Sequence, residues 1–203
     1  KENGAVVDYI DMKYLDQAVT LYQVIAMSEA SSNLARFDGV KFGYKSENSN
    51  SVEEMYKNTR CEGFGTEVKR RIMVGSYLLS GENAKIYYDK ALMIRNSMKK
   101  EFDRVFKDYD FILGPTTTTV AYNLDDNMDD PRKTFMDDVL VIPVNMAGIP
   151  GLNMPIGFDK DHMPIGMQII GNSFEEAKIY HLASFLEKEL NLDLNPFGGE
   201  ENE

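Results

Sequence analysis

Leu152-Asn153-Met154-Pro155-Ile156-Gly157-Phe158, the polar Asp159-Lys160-Asp161-His162, and Ile165-Gly166-Met167-Gln168-Ile169-Ile170 read as two strands joined by a loop. Short apolar runs bounded by Gly, Pro and Asp have the length and punctuation of strands. Phe111-Ile112-Leu113, stopped by Gly114-Pro115, reads as a third, buried strand. Upstream the pattern differs: all seven prolines lie at or beyond position 115, and residues 1–114 contain none. From Lys13 to Ala35 the positions Leu15, Ala18, Val19, Tyr22, Ile25 and Ala26 recur at three- and four-residue spacing, which predicts one buried helix face. Ser51 and Glu54 have the spacing of a capping box and open a helix over Val52–Arg60; Gly63 and Gly65 break it before another begins near Thr66. From Asn83 to Lys107 a stripe through Tyr87, Ala91, Ile94, Met98, Phe102 and Val105 predicts a single helix of about 37 Å, at about 1.5 Å per residue. Asp130-Pro131 predicts a helix start, and Ser173 with Glu176 a second capping box before a last helix through Ile179, Leu182, Phe185 and Leu186. The expected class is a helix-rich α/β fold, a mixed sheet flanked by helices. Three strands are few for a free-standing domain of this class, so part of the sheet is expected to lie elsewhere. Residues 1–195 are expected to belong to one domain, and 196–203 to form a disordered acidic tail.

The 203 residues include 22 Lys and Arg against 33 Asp and Glu, a net charge of −11. That balance argues against a broad phosphate-binding surface, which needs clustered cations. One thiol, Cys61, excludes an intrachain disulfide framework and a multi-cysteine metal site, and points to a reducing compartment. No apolar run approaches the roughly 18 residues that span a membrane. The chain begins at Lys1 with no signal-peptide pattern, and is expected to be a piece of something longer.

Three residues attract chemistry. Arg71 falls at the edge of an apolar helix face, between Val68 and Leu78, with Gly75 leaving space one turn on. A guanidinium there needs an anion, either a structural carboxylate or a ligand. Asp138 falls beside Phe135 and Ile142 on the helix predicted from Asp130, as a half-buried carboxylate or an ordinary exposed one, with Asp137 on the solvated side. Tyr22 lies within a helix stripe, either as core or lining a pocket. His162 and His181 lack a third ligand, and Asp125, Asp126, Asp129 and Asp130 lack EF-hand spacing, so no metal site is expected. No Gly-x-Gly-x-x-Gly or Gly-x-x-x-x-Gly-Lys cradle occurs. Ser31-Ser32 and Gly75-Ser76 are possible nucleophile contexts without a base at readable spacing, and no catalytic constellation is visible.

The runs Ser28-Glu29-Ala30-Ser31-Ser32-Asn33-Leu34-Ala35-Arg36-Phe37-Asp38-Gly39 and Glu62-Gly63-Phe64-Gly65-Thr66-Glu67-Val68-Lys69-Arg70-Arg71-Ile72 carry a resemblance. With Gly114-Pro115-Thr116, Pro143 to Gly151 and Pro164 to Gly171, they resemble the A subunits of the glutamyl-tRNA(Gln) amidotransferases, a branch of the amidase-signature family. The resemblance covers residues 14 to 190 or so and implies the carboxy-terminal half of that fold. It implies a cytoplasmic enzyme of protein biosynthesis that releases ammonia from glutamine. The implied partners are the B and C subunits of the amidotransferase: the former uses ATP and Mg to convert Glu-tRNA(Gln), and the latter wraps the other two. The family's Ser, cis-Ser and Lys machinery is not in this chain, so no catalytic residue or cofactor is assigned to it, and tRNA is reached only through the B subunit. By the same resemblance Arg71 holds the substrate carboxylate, Asp138 or its neighbour Asp137 the amino group, and Tyr22 lines the pocket. The alternatives are another amidase-signature amide hydrolase, or a truncated chain that only binds partners.

Overall fold

The computed structural model describes residues 1–122 and 137–193. Two compact units compose the chain: Thr20–Asn96, and Lys1–Val19 with Ser97–Glu203. The first is helical. It contains most of α1 (Ala18–Leu34), then α2 (Val52–Gly63) and α3 (Thr66–Leu78). Ser51 caps α2: its Oγ accepts from the Glu54 amide at 3.1 Å, and Glu54 Oε2 accepts from the Asn50 amide at 2.8 Å. The expected capping box is therefore built, with its return bond one residue upstream of the cap. Arg60 closes the end of α1. Its Nη1 donates to the Leu34 carbonyl at 3.0 Å, a group that a helix C-terminus leaves without an intrahelical partner, and to the Phe37 carbonyl beyond the helix at 3.3 Å.

Helices α1 and α3 meet at Gly75, where an added Cβ would lie 1.9 Å from the Met27 carbonyl oxygen. No side chain fits there, so glycine sets the distance between the two backbones. The residues of α1 that are buried are Ala18, Leu21, Ile25, Met27 and Ser28, while Tyr22 and Ala26 are half-buried. The buried face is thus rotated from the predicted stripe. A second difference concerns the long helix predicted over 83–107. Residues Ala84–Asp89 form a π-helical turn, and α4 runs from Lys90 to Val105. The i→i+5 bonding of a π-turn rotates the preceding side chains relative to those of α4. Tyr87 accordingly leaves the stripe and is 40% exposed, with its ring 6.4 Å from that of Tyr77, whereas Ala91, Met98, Phe102 and Val105 are buried.

The other unit holds the sheet. Strands β1 (Phe111–Pro115), β2 (Gly151–Phe158) and β3 (Pro164–Gly171) lie in the order β1-β3-β2, with Leu113 and Leu152 both opposite Ile169. The class is α/β as expected, and the described strands all pair antiparallel. The turn between β2 and β3 explains one of the two pairings. Asp159 Oδ1 accepts from the amides of Asp161 and Met163, each at 2.9 Å, and so folds β3 directly back on β2. Ile156 is the extra residue of a bulge, since Pro155 faces Gly166 and Gly157 faces Ile165. Pro155 brings no amide, which suits a bulge.

Helix α5 (Ile142–Ala147) has Pro143 in its first turn and ends at Gly148, φ 66°. Helix α6 (Glu176–Leu190) covers the sheet, with Ile179 packed on Met154 and Ile169 and ringed by Phe111, Leu152, Met167, Leu182, Ala183 and Leu186. The predicted Ser173 cap is not made. Phe174 takes φ 64°, a left-handed turn that delays the helix to Glu176, and Ser173 Oγ accepts from Lys99 Nζ at 3.4 Å instead. Outside the described residues lie the helix start at Asp130-Pro131, Phe135, the cluster Asp125, Asp126, Asp129 and Asp130, and the tail 196–203. Among the described residues no helix is long and apolar enough to cross a membrane.

Candidate functional site

Arg71 lies on the second turn of α3, and its first partner comes from the turn before. Glu67 Oε1 accepts from Arg71 Nε at 2.8 Å. The same carboxylate is held more completely by Arg70, whose Nε reaches Oε2 and Nη2 reaches Oε1, each at 2.7 Å. Spacings of three and four residues put all three side chains on one helix surface. The anion predicted beside Arg71 is therefore a helix neighbour, not a core Asp or Glu. Tyr22 of α1 lies near enough for its hydroxyl to favour the protonated Arg71 guanidinium. Arg71 and Tyr22 thus lie close together in one unit.

The electrostatics follow from these contacts. Arg70 first and Arg71 second pull the Glu67 carboxyl down to about 2. In return Glu67, and after it the Tyr22 hydroxyl, hold the Arg71 guanidinium protonated above its ordinary range, against the opposing effect of partial burial. The Arg71 side chain is 37% exposed, so the ion pair contributes little to stability, yet a ligand can reach it. Two guanidinium groups and one carboxylate leave a net single positive charge. Gly75 contributes no ligand space beside Arg71, contrary to the sequence reading, because the Met27 backbone fills that place.

Asp138 belongs to the other unit, on a turn immediately ahead of α5. Its main-chain carbonyl accepts from the amides of Val141 at 3.1 Å and Ile142 at 3.0 Å. Of the two alternatives for Asp138 the structure selects the exposed one, and it departs from the reading of Asp137 as solvated. Asp138 is exposed, whereas Asp137 is half-buried with Oδ2 shielded from solvent and without a hydrogen-bond partner among the described residues. The expected burial rests on helical phase counted through to Ile142, but residues 138–141 form a turn and phase is lost across it.

Gln168 was not singled out from the sequence. Buried in the middle of β3, its Nε2 donates to the carbonyls of Leu140 at 2.9 Å and Pro115 at 3.2 Å. It ties the segment carrying Asp138 to the sheet. The available signal was an amide side chain inside an apolar strand, which must find partners when buried. Ser31 Oγ and Ser76 Oγ lie 2.8 Å apart, and Ser76 Oγ also donates to the Ile72 carbonyl at 2.9 Å. His162 occupies the β2–β3 turn with φ 58°, and His181 lines an apolar groove of about 480 Å³ with Phe111, Leu182 and Phe185. Among the described residues no three His, Cys, Asp or Glu gather as metal ligands.

The family model described as Amidase matches residues 1–180. The A subunit of glutamyl-tRNA(Gln) amidotransferase from Shouchella clausii is 51% identical over 191 residues, 94% of this chain and 39% of the relative. Its namesake from Halothermothrix orenii is 50% identical over 189 residues, covering 93% and 39%. The chain thus spans about two fifths of the length of these relatives. Among solved structures, the A subunit of the same amidotransferase from Thermotoga maritima superposes with a TM-score of 0.62 at 32% identity, over 88% of this chain and 34% of that one. A 6-aminohexanoate cyclic dimer hydrolase shares the fold at 16% identity, with a TM-score of 0.68 over 94% of this chain and 39% of that one. On the family match and the shared fold together, this chain belongs to the amidase family.

Proposed function

We propose that this chain is the carboxy-terminal part of the glutamine-hydrolysing subunit of a tRNA-dependent amidotransferase. The observation that carries the reading is Arg71, a solvent-reachable guanidinium held by Glu67 with the Tyr22 hydroxyl nearby, in a chain 51% identical to the A subunit of such an enzyme. A free α-amino acid presents one carboxylate and one ammonium. Arg71 takes the carboxylate with its guanidinium and Tyr22 lines the same place; the resemblance assigns the ammonium to Asp138, the exposed member of its pair. Ammonia released from glutamine passes to the B subunit, which activates Glu-tRNA(Gln) with ATP and Mg and contacts the tRNA; the C subunit binds both. The complex works in the cytoplasm. Residues 1–203 supply substrate recognition, and the nucleophile comes from outside them.

The test uses the complete amidotransferase, with residues numbered as in this chain. Arg71→Ala raises the KM for glutamine between ten- and a hundredfold, about the value of a charged hydrogen-bonded contact, with the fold intact by circular dichroism. Unchanged glutamine kinetics would overturn the assignment. A panel of small amides then separates glutaminase from a broader amide hydrolase: only the former requires the free α-carboxylate.

A further inference from the structure

We propose that Glu67 and Arg70 are positioning residues that present Arg71 to the substrate carboxylate, an inference resting on the reading of Arg71 above. A guanidinium offers a carboxylate two edges: a side-on edge containing Nε, and an end-on edge of the two terminal nitrogens. Glu67 takes Nε at 2.8 Å, so the end-on edge is the one turned to an incoming carboxylate. The tether has an entropic purpose. A long arginine side chain restrained before the ligand arrives loses less freedom on binding, and the Glu67 bond restrains it.

A fixed carboxylate beside a carboxylate-binding group creates a problem, because it competes with the ligand for the same cation. Arg70 resolves it. Glu67 gives Arg70 two short bonds, each of 2.7 Å, and Arg71 one, so the fixed carboxylate is neutralised mainly by the arginine that does not bind substrate. Arg71 keeps an end of its guanidinium outside the pairing, and the trio keeps one positive charge. The arrangement depends on Glu67 standing three residues before one arginine and four before the next, which a single helix turn allows. Neither Glu67 nor Arg70 touches the substrate in this scheme; each acts through Arg71.

The experiment measures kcat and KM of the complete amidotransferase for glutamine and for glutamine α-amide, which lacks the carboxylate. Glu67→Ala raises the glutamine KM about tenfold with kcat within about twofold, and Glu67→Gln, which keeps an acceptor without the charge, falls between it and the wild type. Arg70→Ala also raises the glutamine KM, because Glu67 then turns onto Arg71. The double variant Glu67→Ala/Arg70→Ala is no worse than Glu67→Ala, a non-additivity that separate structural roles do not produce. In each single variant the preference for glutamine over its α-amide shrinks in step with the rise in KM. If Arg71→Ala raises KM while Glu67→Ala and Arg70→Ala leave KM and the preference unchanged, the positioning role is wrong and the carboxylate reading stands. If Arg71→Ala itself changes nothing, the carboxylate reading fails first.

Discussion

At the level of single residues, the carboxylate of Glu67 joins the stability of the fold to the chemistry of Arg71. Its folded pKa of about 2 lies below the ordinary 4.5, so its contribution is complete above pH 4.5 and is lost as pH falls through 2. Across the range where an amidase works, the Arg70–Glu67–Arg71 trio is fully ionised. A carboxyl-carbon NMR titration, assigned with Glu67→Gln, is expected to show one glutamate titrating near 2. The sequence placed Arg71 at the edge of a helix face and required an anion for it, and it left open which one. Glu67 was legible at the right spacing, but the division of its two oxygens between two arginines is a matter of rotamers. Asp137 and Asp138 show the opposite outcome. Adjacent acids differ only in phase, and phase cannot be counted across a turn. Asp138→Asn is expected to raise the glutamine KM of the complete enzyme about tenfold, and Asp137→Asn to change it less than twofold, since only Asp138 is exposed.

At the scale of elements, local signals succeeded where the bond partners are neighbours in sequence. Ser51 caps α2 as its spacing to Glu54 predicts, and Ser51→Ala is expected to cost about 1 kcal/mol in urea unfolding. The same spacing from Ser173 to Glu176 does not make a cap, because Phe174 adopts a left-handed conformation and Ser173 instead meets Lys99, 74 residues away. The long helix over 83–107 is divided by a π-turn for a similar reason, in that its continuous stripe reports only apolar spacing. Gly75 illustrates how a correct observation can acquire a different cause. A missing side chain beside Arg71 reads as room for a ligand, but the room is occupied by the Met27 backbone. Gly75→Ala is therefore expected to destabilise the protein by about 1–3 kcal/mol or more, because the obstacle is backbone that cannot rotate away. Differential scanning calorimetry of the variant checks this, and a melting temperature equal to wild type would contradict the packing.

On the scale of the whole molecule, the chain spans about two fifths of the length of its relatives. Assayed alone, it is expected to hydrolyse no glutamine above the buffer background, and measurable turnover would show that a nucleophile lies within these residues. Glycine and proline placement, apolar spacing and the blocks of residues 28–39, 62–72 and 143–171 were enough to determine the α/β class, the β2–β3 hairpin and the amidase family. The class and the hairpin depend on short-range steric and hydrogen-bonding preferences, which a linear sequence records directly, whereas the family rests on the resemblance of those blocks. Tertiary structure alone decided the antiparallel pairing of β1 with β3, the rotation of the buried face of α1, the meeting of Tyr22 with Arg71 and the capture of the Leu140 carbonyl by Gln168. Each of those joins groups tens of residues apart, and such contacts are selected by packing and by the requirement that buried polar groups be satisfied. Sequence spacing carries no measure of either.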